Sequence, residues 1–156
     1  MKAVIVMGSK ADLDYGKEIK EKLKTFNIET ELRIASAHKT PEYLIEILKS
    51  YEKEDVVFVT VAGRSNALSG FVDANTVKPV IASPPYSDKF AGADIFSSIR
   101  MPSGVAPMLV LEAENVALAV AKIFAMKDEK VREAVERYQK KKKEEIVKSD
   151  KEVGYG

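Results

Sequence analysis

The sequence predicts an α/β domain in which a parallel sheet lies between two layers of helix. Two observations carry this. Short apolar runs recur at Ala3–Met7, Ile28–Ile34, Val56–Ala62, Val80–Ala82 and Met108–Leu111. Helical patterns or loops separate them, and that alternation is the signature of parallel strands joined by crossovers.

The first run, AVIVM, is a buried strand; it is too short for a signal-peptide core and no small-residue cleavage site follows it. Gly16, Ile19, Leu23 and Phe26 then fall at three- and four-residue steps, the stripe of an amphipathic helix. The second run alternates. Ile28, Leu32 and Ile34 face one way, and Glu29, Glu31 and Arg33 the other, which predicts a strand near the sheet edge. Thr40-Pro41-Glu42 is a helix start with a capping hydroxyl, a proline in the first turn and an acid at the positive end. Leu44, Leu48 and Tyr51 carry the buried face of that helix.

The third run, VVFVTVA, is β-branched and apolar on both faces, as a strand covered on both sides requires. After the fourth run, Pro84 to Pro107 is rich in proline and glycine, with a short helix expected around Ala93–Ile99. A segment of that length without a strand is usually functional. Asn115–Ala125 (NVALAVAKIFA) is almost wholly apolar, which predicts a helix deep in the fold or at an interface. Val131, Val135 and Tyr138 continue the helical period into a charged final helix, and the tail EVGYG is expected to fray. With no long linker and no repeat, residues 1–156 read as one domain, three-layered and flavodoxin-like or Rossmann-like.

Composition narrows the function. The chain has 156 residues, 46% hydrophobic and 31% charged, with a net charge of +1. A domain of this size buries roughly 68–70% of its unfolded surface, and neither disorder nor nucleic-acid binding fits that balance. No run approaches the ~20 apolar residues of a membrane span, so a cytoplasmic location without membrane or nucleic-acid partners is expected. With no cysteine and one histidine, thiolate chemistry and multi-histidine zinc sites are excluded. No metal and no cofactor is expected.

Ligands of open parallel sheets bind beyond the carboxyl ends of the strands. The segments there are Gly8-Ser9-Lys10-Ala11-Asp12, Ala35-Ser36-Ala37-His38-Lys39, Gly63-Arg64-Ser65-Asn66 and Ser83-Pro84-Pro85. Ser9 is read either as a phosphate contact at a helix N-terminus or as a helix cap, with Asp12 completing the capping box. His38 is a loop residue or a proton carrier, since imidazole changes charge near neutral pH. Lys39 holds an anion or is solvated. Arg64 is a surface or intersubunit ion-pair residue. Asn66 and Asn75 are read as turn residues suited to left-handed backbone. The first strand is followed by neither GxxxxGK[ST] nor GxGxxG, which argues against ATP or NAD.

GSKADLD, SAHKTPEYL, AGRSNALSG, NTVKPVIASPP and SSIRMPSGVAP stand in the order and spacing of the PurE family of purine biosynthesis, which the chain resembles from Gly8 to Pro107. Class I members are N-carboxyaminoimidazole ribonucleotide mutases. Class II members are aminoimidazole ribonucleotide (AIR) carboxylases, which use free carbon dioxide and make carboxyaminoimidazole ribonucleotide (CAIR). Class I proteins carry SAHRTP and a loop of the form GGAAHLPG. This chain has Lys39 in place of that arginine and Asn66 in place of the second histidine, as in class II.

The resemblance implies a phosphate contact at Ser9 and a ribose contact at Asp12. It places Ser36, His38 and Lys39 at the base and carboxylate end, with His38 catalytic. Gly63, Ser65 and Asn66 form the wall that receives carbon dioxide, and Ser103-Gly104 close the site, from the same chain or an adjacent subunit. It also implies a homo-oligomer, an octamer or alternatively a tetramer, around a central helical region. The competing readings are the class I mutase and a non-catalytic flavodoxin-like module that binds a nucleotide.

Overall fold

The computed structural model describes residues 1–154, apart from the side chains of 89 and 90. Five strands form one sheet: β1 (Lys2–Met7), β2 (Glu29–Ile34), β3 (Val56–Val61), β4 (Val80–Ala82) and β5 (Met108–Leu109). Their order is β2-β1-β3-β4-β5, and every pairing is parallel. The helices are α1 (Leu13–Leu23), α2 (Pro41–Ser50), α3 (Ala67–Ala74), α4 (Phe96–Ile99), α5 (Ala113–Ala125) and α6 (Glu129–Gly154).

Strand alternation separates two cores. Ala3, Ile5 and Met7 of β1, with Val57, Val59 and Val61 of β3, pack on Ile19 and Leu23 of α1 and on Val116, Ala117 and Val120 of α5. Val4, Val6 and Phe58 point the other way, onto Leu44, Ile47 and Leu48 of α2 and Leu68 and Val72 of α3. The sheet is therefore covered on both faces, which is why all six residues of β3 are buried. β2 lies at the edge, and its residues are half-buried or exposed.

Close packing of α1 onto β1 depends on Gly16. A Cβ there would stand 2.5 Å from Met7 Sδ, whose side chain is fully buried. The apolar character of α5 has its explanation within the chain: the helix lies between α1 and the start of α6, and Val116, Ala117, Val120 and Ala121 are completely buried.

Four local expectations are corrected. α3 was not anticipated, because ALSGFVDA is short and carries small residues where a stripe would show. Thr40 precedes α2 but makes no side-chain cap; its hydroxyl turns back to Ser36, accepting the Ser36 N–H at 3.0 Å. Asn66 and Asn75 are not left-handed (φ −80° and −117°), whereas Arg64, at φ 58°, is. The C-terminal segment does not fray at Glu152–Gly154, since α6 continues through Gly154 with a Lys148–Glu152 pair one turn apart. The rest of that tail, 155–156, lies outside the described residues. Within the long loop, a 3-10 helix (Lys89–Ile95) leads directly into α4, over the span where a short helix was expected. Among the described residues no helix is long and apolar enough to cross a membrane.

Candidate active site

The order β2-β1-β3 makes β1 and β3 the point where chain progression reverses direction, and the loops beyond them diverge to leave a crevice. A cleft of about 640 Å³ lies there. Its floor is Gly8 and Ala62, at the ends of β1 and β3. One wall is Ser36, His38 and Lys39, beyond β2. The other is Gly63, Arg64 and Ser65, with Ser9 and Asp12 at the start of α1 and Pro85, Tyr86, Asp88 and Asp94 from the long loop.

Ser9 and Asp12 form the capping box. The Ser9 N–H and hydroxyl both donate to Asp12 Oδ2 at 3.0 Å, and the Ala11 N–H donates to Ser9 Oγ at 3.2 Å. The capping reading is thus what the geometry contains, and both side chains still line the cleft. Gly8 lets the chain pass close: its N–H donates to the Val61 carbonyl at 2.9 Å, and a Cβ there would meet Ala62 Cβ at 3.3 Å.

The Ser36–Thr40 turn is closed by its own hydroxyls. Thr40 N–H donates to the Ser36 carbonyl at 2.9 Å, and Lys39 N–H donates to Ser36 Oγ at 3.2 Å. This ring of contacts presents His38 and Lys39 at the mouth of the cleft, both exposed. The cationic Lys39 and Arg64 share that cleft with Asp12, Asp88 and Asp94, so it carries charges of both signs.

The expected residues do not all converge. Ser9, Asp12, Ser36, His38, Lys39, Gly63 and Ser65 come together. Asn66 does not open into the cleft. Its side chain is 3% exposed, its Oδ1 accepts the Ser69 N–H to cap α3 at 3.2 Å, and its Nδ2 donates to Ser98 Oγ at 2.9 Å. Ser103 and Gly104 are exposed on a turn that packs against α3, where the Ala106 N–H donates to Asp73 Oδ2 at 2.7 Å. They do not line the cleft of their own chain.

Sequence reasoning missed Asp94, whose Oδ2 accepts the Arg64 N–H at 3.3 Å. Its one visible signal was its place in the long loop. Among the described residues, no three His, Asp or Glu side chains gather as a metal site would require.

A second cavity, of about 560 Å³, lies between α1, the segment from Pro84 to Ile95 and the start of α5. Tyr15 stands in its wall with its hydroxyl 2.9 Å from Ser83 Oγ, and burial pushes the phenol above its ordinary pKa. This cavity gathers none of the residues that follow β1, β2 and β3. The strand-end cleft is the one that unites the rim.

Sheet order, covered faces and a polar cleft at the switch point define a flavodoxin-like α/β protein whose strand-end cleft has the size and polarity for a small polar ligand. The AIR carboxylase family model matches residues 2–145, and the chain belongs to that family. It is 77% identical over 153 residues to the phosphoribosylaminoimidazole carboxylase of Archaeoglobus fulgidus, covering 98% of this chain and 85% of the relative. An N5-carboxyaminoimidazole ribonucleotide mutase of Methanocaldococcus jannaschii is 40% identical, covering 96% and 95%. The crystal structure of Treponema denticola PurE superposes with a TM-score of 0.94 at 48% identity, covering 97% of each chain. The PurE-family resemblance and the three-layer fold are both borne out.

Proposed function

We propose that the chain carboxylates AIR with carbon dioxide to give CAIR, without ATP, in purine biosynthesis. The observation that carries this is the convergence of Ser9, Asp12, His38, Lys39 and the Gly63–Ser65 wall on one strand-end cleft. Family membership supports the substrate. Lys39 and the identity of 77% to a relative named as a carboxylase, against 40% to one named as a mutase, support the carboxylase class.

In this reading Ser9 takes the phosphate and Asp12 the ribose. The ring carbon beside the exocyclic amine is enamine-like and attacks carbon dioxide. A carbon–carbon bond forms, and the electron pair of one C=O bond moves onto oxygen as a carboxylate. The intermediate carries both carboxylate and hydrogen on that carbon. His38 accepts the proton, and the C–H electron pair restores the aromatic ring. Holding two reactants in contact supplies up to about 7–11 kcal/mol. Donors aimed at the new carboxylate, from Lys39, Ser65 and the backbone wall, contribute about 2.7–4 kcal/mol each where preorganised. Ser36 closes the turn that presents His38. Ser103 and Gly104 reach the cleft from a neighbouring copy in a homo-oligomer, an octamer or a tetramer, and sedimentation measures that number.

The test supplies purified protein with AIR and dissolved carbon dioxide without ATP, then with the N-carboxy isomer alone. Carboxylated product from the first mixture only is the expected result. Product from the isomer only selects the mutase, and binding without turnover selects the non-catalytic module.

A further inference from the structure

Resting on the carboxylation reading, we propose that Ser97 is a positioning residue that clamps the Gly63–Asn66 loop into the shape that receives carbon dioxide. The loop turns on Arg64, whose left-handed backbone (φ 58°) is unfavourable for a residue with a side chain. Both peptide groups of that residue are gripped by one distant segment. Its N–H donates to Asp94 Oδ2 at 3.3 Å, and its carbonyl accepts from Ser97 Oγ at 2.9 Å. The Ser97 hydroxyl also lies 2.7 Å from the Asp94 carbonyl and accepts the Asn66 N–H at 3.0 Å. One hydroxyl therefore accepts the Asn66 N–H and shares its single proton between the Arg64 and Asp94 carbonyls. Ser98 adds the bond to the Asn66 amide.

The clamp consumes alternate N–H groups. Those of Arg64 and Asn66 are bound to it, whereas those of Gly63 and Ser65 donate to no acceptor among the described residues. Gly63 and Ser65 both line the cleft. Preorganised backbone donors of this kind are what a developing carboxylate needs. Ser97 itself does not line that cleft, so it acts through the loop.

The experiment uses the full chain with Ser97→Ala and Ser97→Thr. KM is measured separately for carbon dioxide and for AIR, with kcat, melting temperature and amide hydrogen exchange at residues 64 and 66. Ser97→Ala is expected to raise KM for carbon dioxide by roughly 10- to 100-fold, to leave KM for AIR within about twofold and to speed exchange of both amides. Ser97→Thr, which keeps the hydroxyl, is expected to restore turnover. Unchanged carbon dioxide saturation, an equal loss for both substrates, no rescue by threonine, or unchanged amide exchange in Ser97→Ala would overturn the clamp while wild-type turnover leaves the carboxylase reading intact. Absence of turnover in the wild type refutes that reading, and the clamp's role with it. If Ser97→Ala does not fold, the exchange and kinetics of Ser97→Thr decide, since a threonine enzyme with a slack loop and normal kinetics contradicts the proposal.

Discussion

Replacing His38 by asparagine separates the proton carrier from a solvated loop residue. His38 is exposed, sits in the turn beyond β2 and makes no hydrogen bond among the described residues. The turn is held instead by Ser36 and Thr40. Substitutions at such surface positions change stability by about 0.5 kcal/mol or less. For a chain of this length that is a melting shift of about 2 °C at most. Proton transfer by a placed imidazole is worth about 10²- to 10⁴-fold, which converts to about 2.7–5.4 kcal/mol of barrier. Asparagine keeps a planar polar group of similar size but accepts no proton near neutrality. His38→Asn is therefore expected to retain its melting temperature and its AIR dissociation constant by calorimetry, with kcat lowered at least 100-fold in a stopped assay for CAIR. A kcat within threefold of wild type would refute the assignment of His38 as the group that takes the proton.

At the other end of the cleft, Ser9 combines a cap with a proposed phosphate contact, and glycine tells them apart. Ser9→Ala is expected to cost about 1 kcal/mol and Ser9→Gly only a few tenths, while both raise KM for AIR alike; equal KM values to wild type would leave only the cap. Acid should loosen the fold through two glutamates. Hydrogen bonding to Tyr51 and Arg33 holds Glu31 below the usual carboxylate range, and Tyr138 and Lys142 do the same for Glu114. A depressed folded pKa gives stability that is present above the unfolded value of about 4.3 and is lost as pH falls through the folded one. Melting between pH 6 and pH 3 should therefore fall less steeply in a Glu31→Gln/Glu114→Gln variant than in wild type, and parallel curves would contradict the linkage. Both side chains are half-buried, at 38% and 43% exposure, so solvent screens part of the effect and the difference is small.

What the sequence made legible follows from how local each cause is. β1, β3 and β4 are announced by β-branched and apolar residues on both faces, a property of the run itself. The edge position of β2 is written in the alternation of Glu29, Glu31 and Arg33 with apolar neighbours. α3 has no such mark, because Gly70 packs under Met101 and Val105 and its burial depends on a segment about thirty residues on. The same distance hid Asp94 and Ser97, whose roles exist only once the Asp94–Ser98 segment folds against the Gly63–Asn66 loop. Thr40 was misread as a cap because a hydroxyl before a proline-led helix has two sets of partners, and the Ser36 turn offers the competing one. Motif resemblance located the cleft residues by position. It carried no information on which way each side chain turns.

Asn66 is where position and orientation part, and stability decides between them. Its amide spans two segments, capping α3 through Ser69 N–H and binding Ser98 Oγ, with Asn66 3% and Ser98 2% exposed. Alanine removes the cap, at about 1 kcal/mol, and strands the Ser98 hydroxyl in the interior, at about 1–3 kcal/mol. The sum of about 2–4 kcal/mol predicts a melting temperature lower by about 4–16 °C. A residue whose amide faced bound carbon dioxide would give the opposite pattern, with turnover lost and stability kept. Asn66→Ala that melts within about 2 °C of wild type would thus return the amide to the cleft and remove the lock between α3 and α4. With the expected destabilisation, Asn66 is the lock between α3 and α4, directly behind the Gly63–Ser65 wall.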